Sequence, residues 1–417
     1  MTQTIMTFIA RVKPERSDDL AKLLCEIQTD PEKNALVPFR SLQSLHFASF
    51  VLHTAPDFGP YLIFENNFDG PLDAYIADLY THAASGVHQI YSCCLDYAVT
   101  NASDRQGIVD YLRGCVVRPS AYHIGNVGRS AERILQERKL RDALEAHADE
   151  LAPSRQASSN YDLFKKFQQF ITANRDFSWI PGVGPRQSFW EKYLPWVKLV
   201  LAVVIPGIPI LVTSIIWMPI LRFKEDRDAV QSDTAETANL KNLVEVEDRV
   251  PSVQNHMASI TMVKSGWFRR LVLRTVLFFI NLLARAVSTH GNLSGIPSIH
   301  FAHWALIDGG RRLLFLSNFD GSWENYLDDF IDKSPHGLTS IWGNTVDFPR
   351  TKWLVLGGAQ DGPRFKAVAR DHQIVTNAWY SAYWDLTVQG IDNNSSVRED
   401  LPNVHDKDSA KAWLQRL

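Results

Sequence analysis

Leu313–Phe348 reads LLFLSNFDGSWENYLDDFIDKSPHGLTSIWGNTVDF, and the chain carries a second version of it. Leu62–Tyr97, LIFENNFDGPLDAYIADLYTHAASGVHQIYSCCLDY, aligns without a gap at an offset of 251, the difference between 313 and 62. Identical pairs include Leu62/Leu313, Phe64/Phe315, Asn67/Asn318, Phe68/Phe319, Asp69/Asp320, Gly70/Gly321, Tyr75/Tyr326, Asp78/Asp329, Gly86/Gly337 and Asp96/Asp347. A shared NFDG inside a gapless window of this length marks an internal repeat.

Working outward, Leu45-His46-Phe47-Ala48 matches Ile299-His300-Phe301-Ala302 at an offset of 254. The length change falls in a turn-like stretch, APDFGP in one copy and DGGRR in the other. The runs on either side, aromatic and β-branched, predict a hairpin in each copy. Asp69 and Asp320 then sit where they can cap the helix that follows, with Asp73 and Glu324 in its first turn. Further upstream, MTFIARVKP and HMASITMVK predict one more strand per copy, each followed by a helix. Downstream, Ser120-Ala121-Tyr122 aligns with Ser381-Ala382-Tyr383 at an offset of 261. The expected unit is β-α-β-β-α-β. The fold class is α+β: two fused ferredoxin-like repeats packed sheet to sheet as an α/β barrel, with an inserted hydrophobic membrane segment.

That insert lies between the copies, in LPWVKLVLAVVIPGIPILVTSIIWMPILRFK. From Leu199 to Leu221 no residue is charged, a length of about 35 Å as one helix. Trp196 and Trp217 lie near its ends, and Lys192, Lys198, Arg222 and Lys224 flank it. Ile205-Pro206-Gly207-Ile208-Pro209 is expected to break it into two short arms. A single crossing would also part the two repeats. A helical hairpin dipping into one leaflet is therefore expected, with a single span as the alternative. In Trp267–Val287, Arg269, Arg270, Arg274 and Arg285 stand among apolar residues. That pattern suits either an anionic membrane surface or a core helix with its arginines outside.

These boundaries divide the chain into a first repeat (1–140), a helical connector (141–193), the hydrophobic segment (194–223), a polar linker (224–252) and a second repeat (253–417). Its 417 residues, 45% hydrophobic and 21% charged, are those of a globular chain with more than one core. A net charge of −3 points away from nucleic acid. Four cysteines without metal-type spacing, and a start free of any signal-peptide pattern, predict a reducing location on the cytoplasmic face of a membrane.

Candidate chemistry is sparse. His46 and His300 recur at one strand position, whereas His303 faces Ser49 in the other copy and is expected on the side of its strand opposite His300. His123 follows the shared Ser-Ala-Tyr run, and Gly182-Val183-Gly184-Pro185 lacks the setting of a phosphate loop. The bland reading of NFDG is a strand-to-helix turn, with Asp as cap.

Two fused β-α-β-β-α-β repeats resemble the dimeric α/β-barrel superfamily, which includes dye-decolorizing peroxidases and chlorite-dismutase-like proteins. The resemblance implies haem held by one half and a catalytic Asp in a G-x-x-D-G motif. Asn66-Asn67-Phe68-Asp69-Gly70 and Ser317-Asn318-Phe319-Asp320-Gly321 keep the Asp-Gly and lack the leading Gly. On that reading Asp69, Asp320 and Arg398 are the catalytic candidates. His303, His300, His123, His46 and Tyr383 line a cofactor site, with His303 on the metal. The expected function is a membrane-associated, haem-dependent peroxidase-like oxidoreductase acting on a lipid or peroxide. The alternative is a non-catalytic scaffold on the bilayer that binds a lipid, a small molecule or a partner.

Overall fold

The computed structural model describes residues 2–55, 58–151, 159–182, 189–229, 240–247, 253–287 and 293–417. The expected connector and linker fall partly outside these, at 152–158, 183–188, 230–239 and 248–252, as does most of Gly182–Pro185.

Copy one supplies strands β1 (Gln3–Arg11), β2 (Leu45–Ala55), β3 (Phe58–Asp69), β4 (Val116–Val117) and β5 (Ala121–Ile124). Its helices are α1 (Ser17–Thr29), α2 (Leu72–Ser92), α3 (Arg105–Gly114) and α4 (Ala131–Leu151), the last running past the expected boundary at 140. The middle of the chain forms α5 (Asn160–Ala173), α6 (Phe189–Ala202), α7 (Ile208–Val212), α8 (Ser214–Glu225) and α9 (Leu240–Glu247). Copy two supplies β6 (Gln254–Met262), β7 (Ile299–Ile307), β8 (Arg312–Asp320), β9 (Thr351–Lys352), β10 (Leu356–Gly357), β11 (Gln373–Ile374) and β12 (Ala378–Ser381). Its helices are α10 (Trp267–Val287), α11 (Trp323–Lys333), α12 (Pro335–Trp342), α13 (Gly362–Asp371), α14 (Val388–Glu399) and α15 (Lys407–Leu414).

The strands form two five-stranded antiparallel sheets, ordered β12-β2-β3-β1-β4 and β11-β6-β8-β7-β5, beside the small β9–β10 hairpin. Each copy therefore gives its last strand to the other copy's sheet. Among the described residues no ladder joins the two sheets, so they do not close into a barrel.

Strand alternation fixes the layers. In β3, Leu62, Phe64 and Phe68 point to a core shared with α1 and α2, while Ile63 points to the other sheet. In β8, Leu313, Phe315 and Phe319 face α10–α12, while Leu314 and Leu316 face the first sheet. The result is helices, sheet, sheet, helices. A further core joins α4, α5 and α15 through Leu140, Phe164, Phe167 and Trp413.

Most of the identities have matching physical roles in the two copies. Phe68 stacks on Tyr75 at 4.0 Å between ring centroids, and Phe319 on Tyr326 at 3.9 Å. The Tyr75 hydroxyl donates to Asn66 and that of Tyr326 to Ser317, both on the helix side of their strands. Asp96 and Asp347 take φ of 61° and 66°, a region where Asp is among the better tolerated side chains. Gly70 and Gly321 take φ of 93° and 82° directly after the two aspartates.

Three expectations are corrected. The Ser-Ala-Tyr match is out of register by four residues. β5 pairs Ala121 with Trp304, and β12 pairs Ala378 with Phe50, so the equivalent residues are Ala121 and Ala378, Tyr122 and Trp379, Asn126 and Tyr383. The helix also does not break at Ile205–Pro209. It passes through as a π-turn over Val203–Gly207, with Gly207 at φ −68° and ψ −44°, because a wider turn gives the proline rings room. The bend comes at Thr213, φ −78° and ψ −3°, where the Trp217 indole N–H and the Thr213 hydroxyl both donate to the Ile210 carbonyl. Finally, Asp69 and Asp320 do not cap the helices that follow them: α2 has no side-chain cap and α11 is capped by Ser322.

Candidate functional site

The two aspartates cap other helices. Both side chains leave their strands on the face between the sheets, where the exchanged strands arrive. Asp69 Oδ2 accepts the backbone N–H of Ala131, at the start of α4, at 2.8 Å. Asp320 Oδ2 accepts that of Val388, at the start of α14, also at 2.8 Å. A carboxylate there meets the positive end of the helix and an otherwise unpaired N–H. Each aspartate also faces its repeat's histidine: His46 Nε2 lies 3.1 Å from Asp69 Oδ1, and His300 Nε2 lies 2.7 Å from Asp320 Oδ1. Gln3 and Gln254 complete the two joints. Gln3 donates to the carbonyls of Asn126 and Arg129, and Gln254 to those of Tyr383 and Leu386, the equivalent residues of the other copy.

His300 and His303 lie on the same face, contrary to expectation. A β-bulge between Ile299 and Phe301 turns His300 toward the first sheet, where its ring meets Phe47 at 5.2 Å. A matching bulge between Leu45 and Phe47 turns His46 onto Phe301, also at 5.2 Å.

Tyr383 donates to or accepts from His46 Nδ1 at 2.8 Å and continues the His46–Asp69 pair. Burial, then the nearby Asp69 and Asp320 charges, push its phenol well above the ordinary value, so it stays protonated. Tyr383 also borders a groove of about 470 Å³ lined by Arg40, Glu132, Leu135, Tyr380 and Trp384 among others.

A second cluster lies deeper, and its centre, Glu65, was not among the sequence candidates. Glu65 is fully buried on β3 and faces the second sheet. It accepts from Ser49 at 3.1 Å and from Asn67 at 3.2 Å, faces His256 Nε2 at 3.0 Å, and lies 3.6 Å from His303 Nδ1. His256 Nδ1 meets Thr376 Oγ1 at 2.8 Å, and His303 Nε2 meets Thr7 Oγ1 at 2.9 Å. Asn318 reaches Glu65 at 3.4 Å and accepts from the Trp379 indole at 2.8 Å.

Burial alone would raise the Glu65 carboxyl. The His256 bond and charge, the His303 charge and the Asn67 bond outweigh it and hold the group at about 2. His303 shifts downward, chiefly through burial, with Glu65 opposing and His256 reinforcing that direction. The signal available in sequence was an asymmetry: Leu316 stands where copy one has Glu65, and Ser49 where copy two has His303.

The other candidates lie apart. His123 is paired with Ala302 across the ladder and shares its helix-side face, and burial alone depresses it to about 3. Arg398 bonds Glu137 at 2.7 Å and Glu399 at 2.7 Å, inside the contact between α14 and α4. It neutralises a buried carboxylate there and does not approach the histidines.

Most of the histidines named for haem already have partners. His303 lies between Thr7 and Glu65 and His46 between Tyr383 and Asp69, whereas Gln254 and Asp320 both meet His300 at Nε2, and its Nδ1 has no hydrogen-bond partner among the described residues. A ligand at His303 or His46 would have to displace these contacts. Among the described residues no group of three or more His, Cys, Asp or Glu side chains is arranged to hold a metal ion. Comparison with protein-family models, with curated proteins and with solved structures returned no match for this chain.

Proposed function

We propose that this protein is a membrane-associated, non-catalytic scaffold: a body of two fused ferredoxin-like units, anchored by its central apolar segment, that holds a small molecule or lipid in the groove beside Tyr383. The carrying observation is the exposure of that segment. Lys192–Val212 is long and apolar enough to cross a membrane, and only 6% of its apolar window is buried. Ile205, Leu211 and Ile215 are 65, 71 and 74% exposed. A core helix of a water-soluble body would hide such residues, and an apolar surface of this extent suits lipid.

The outer side of α10 extends the same surface. Val272, Leu273 and Leu277 face the core, while Trp267, Leu271, Phe278 and Leu283 are exposed beside Arg274 and Arg285. Of the arginines expected outside, Arg269 is buried against Asp228, while Arg274 and Arg285 are exposed on the side proposed to meet lipid.

Chain geometry favours a dip over a crossing. Gly207 lies against Phe279, and Asp228 bonds Arg269, so both ends of the 208–227 stretch return to α10 ten residues apart. Ten helical residues span about 15 Å, whereas twenty in a straight helix would span about 30 Å. The stretch must turn back, and Thr213 is where it bends. Since the copies exchange strands, a dip also keeps both on one side of a bilayer.

The oxidoreductase reading is the less favoured of the two, since His303 is held between Thr7 and Glu65 and His46 between Tyr383 and Asp69. The test is flotation of the intact protein with vesicles of phosphatidylcholine and phosphatidylglycerol. Wild type is expected to float. Leu211→Asp/Ile215→Asp is expected to stay with the soluble fraction at an unchanged melting temperature. Equal flotation of both proteins, or of neither, would overturn the reading.

A further inference from the structure

The β9–β10 hairpin displays four consecutive apolar residues, Trp353-Leu354-Val355-Leu356, at its tip. Trp353, Val355 and Leu356 are 37, 39 and 42% exposed. Lys352 pairs with Leu356, so the loop has three residues, and two of them are left-handed, with φ of 57° at Trp353 and 70° at Leu354. Large side chains resist that conformation, which Gly, Asn and Asp take more readily. Strain of this kind persists only where the surroundings impose it, and it points to a use for the side chains displayed.

What imposes it here is one buried carboxyl group. Glu225, 1% exposed at the end of α8, accepts the backbone N–H of Trp353 at 2.9 Å and that of Leu354 at 2.8 Å. It also accepts the Thr351 hydroxyl at 3.0 Å. Arg222, one turn earlier on α8, donates to the Thr351 carbonyl at 3.3 Å. The base of the hairpin is braced as well: Thr339 donates to the Gly357 carbonyl at 3.1 Å, and a Cβ at Gly357 would lie 2.7 Å from the Arg350 carbonyl oxygen. The anchor of this tip is thus the root of the apolar segment itself, where the exposed side chains of Ile220 and Phe223 lie on α8.

We propose that Trp353–Leu356 is a second, shallow lipid-contacting tip, seated in the headgroup region of an anionic bilayer where the apolar segment enters it. The proposal rests on the membrane reading above. Three features favour lipid as the occupant: continuity with the apolar segment through Glu225, the exposed basic residues Arg350 and Lys352 beside the tip, and an exposed Trp, a side chain that partitions to bilayer interfaces. Fixing the turn in advance removes the ordering cost of insertion, which is what the strained conformation would supply.

The test uses the full chain with Cys25→Ser, labelled with an environment-sensitive dye (NBD) at Trp353→Cys or Val355→Cys on the tip, or at Leu211→Cys on the apolar segment. Vesicles of phosphatidylcholine and phosphatidylglycerol are then added. The expected result is a blue shift and intensity gain at all three positions, smaller at the tip than at 211. A shift at 211 with none at 353 and 355 would overturn the tip and leave the membrane reading standing. No shift anywhere would overturn both. As a second readout, Val355→Asp should lower vesicle partition about tenfold, the loss expected for one buried aliphatic side chain, with the melting temperature unchanged. Unchanged partition would also count against the tip.

Discussion

The carboxyl group of Glu65, on β3 of one sheet, lies 3.0 Å from Nε2 of His256, on β6 of the other. It is the centre of a polar joint beside the apolar part of the interface, formed by Val51, Ile63, Ala258, Ile260, Leu314 and Leu316. Buried pairs of this kind add little net stability over apolar packing, yet removing one partner is costly, which makes them devices for fixing register. Glu65→Leu, which installs the residue of the other copy, is expected to destabilise the body by about 3–5 kcal/mol. Glu65→Leu/His256→Ile should cost clearly less than the two single changes added together. Urea unfolding of the four proteins in a double-mutant cycle measures this, and additive costs would mean that the pair is not coupled.

Acid should expose the same group. Glu65 has a depressed value in the folded state, about 2, so its contribution is present above the unfolded-state value of about 4.3. It is lost as pH falls from there through about 2. Melting temperatures of wild type and Glu65→Gln should therefore converge over that window. A gap that holds constant down to pH 2 would assign the effect to packing alone.

The two aspartate caps should be equivalent. Asp69→Asn and Asp320→Asn each weaken a bond to a helix start and the contact with a histidine, and each is expected to cost about 1–2 kcal/mol. Vesicle flotation should be unchanged in both. Loss of flotation in one copy only would give that aspartate a role beyond the cap.

The glycine at position 86 should tolerate no side chain. A Cβ there would fall 1.9 Å from the Leu36 carbonyl oxygen, a backbone atom that cannot move aside cheaply. Gly86→Ala is expected to cost about 1–3 kcal/mol or more by overpacking, and a thermal melt reads it directly. Gly337→Ala, facing only the Ser334 hydroxyl at 2.9 Å, should cost less.

The doubling was legible in sequence because identical residues meet identical physical needs: Tyr75 and Tyr326 stack on a phenylalanine, and Asp96 and Asp347 hold a left-handed turn. The exchange of β5 and β12 was not legible, because pairing with a strand on the other side of the chain leaves no local trace. Its only short signal, Ser-Ala-Tyr, is four residues out of register. The bulges at His46 and His300 invert a face that strict alternation would assign to the other side. Pro206 and Pro209 suggested a break that a π-turn absorbs, with the bend deferred to Thr213. Glu65 belongs to no motif, and in sequence it shows only as a departure from Leu316 of the other copy.

One measurement bears on the whole account. Single cysteines replacing Lys22 in copy one, Asn325 in copy two and Leu211 in the apolar segment, each with Cys25→Ser, are reacted with a membrane-impermeant maleimide after the protein is added to sealed vesicles. The account predicts full labelling at 22 and 325 and protection at 211. Protection of one body position but not the other, or free labelling at 211, would contradict it.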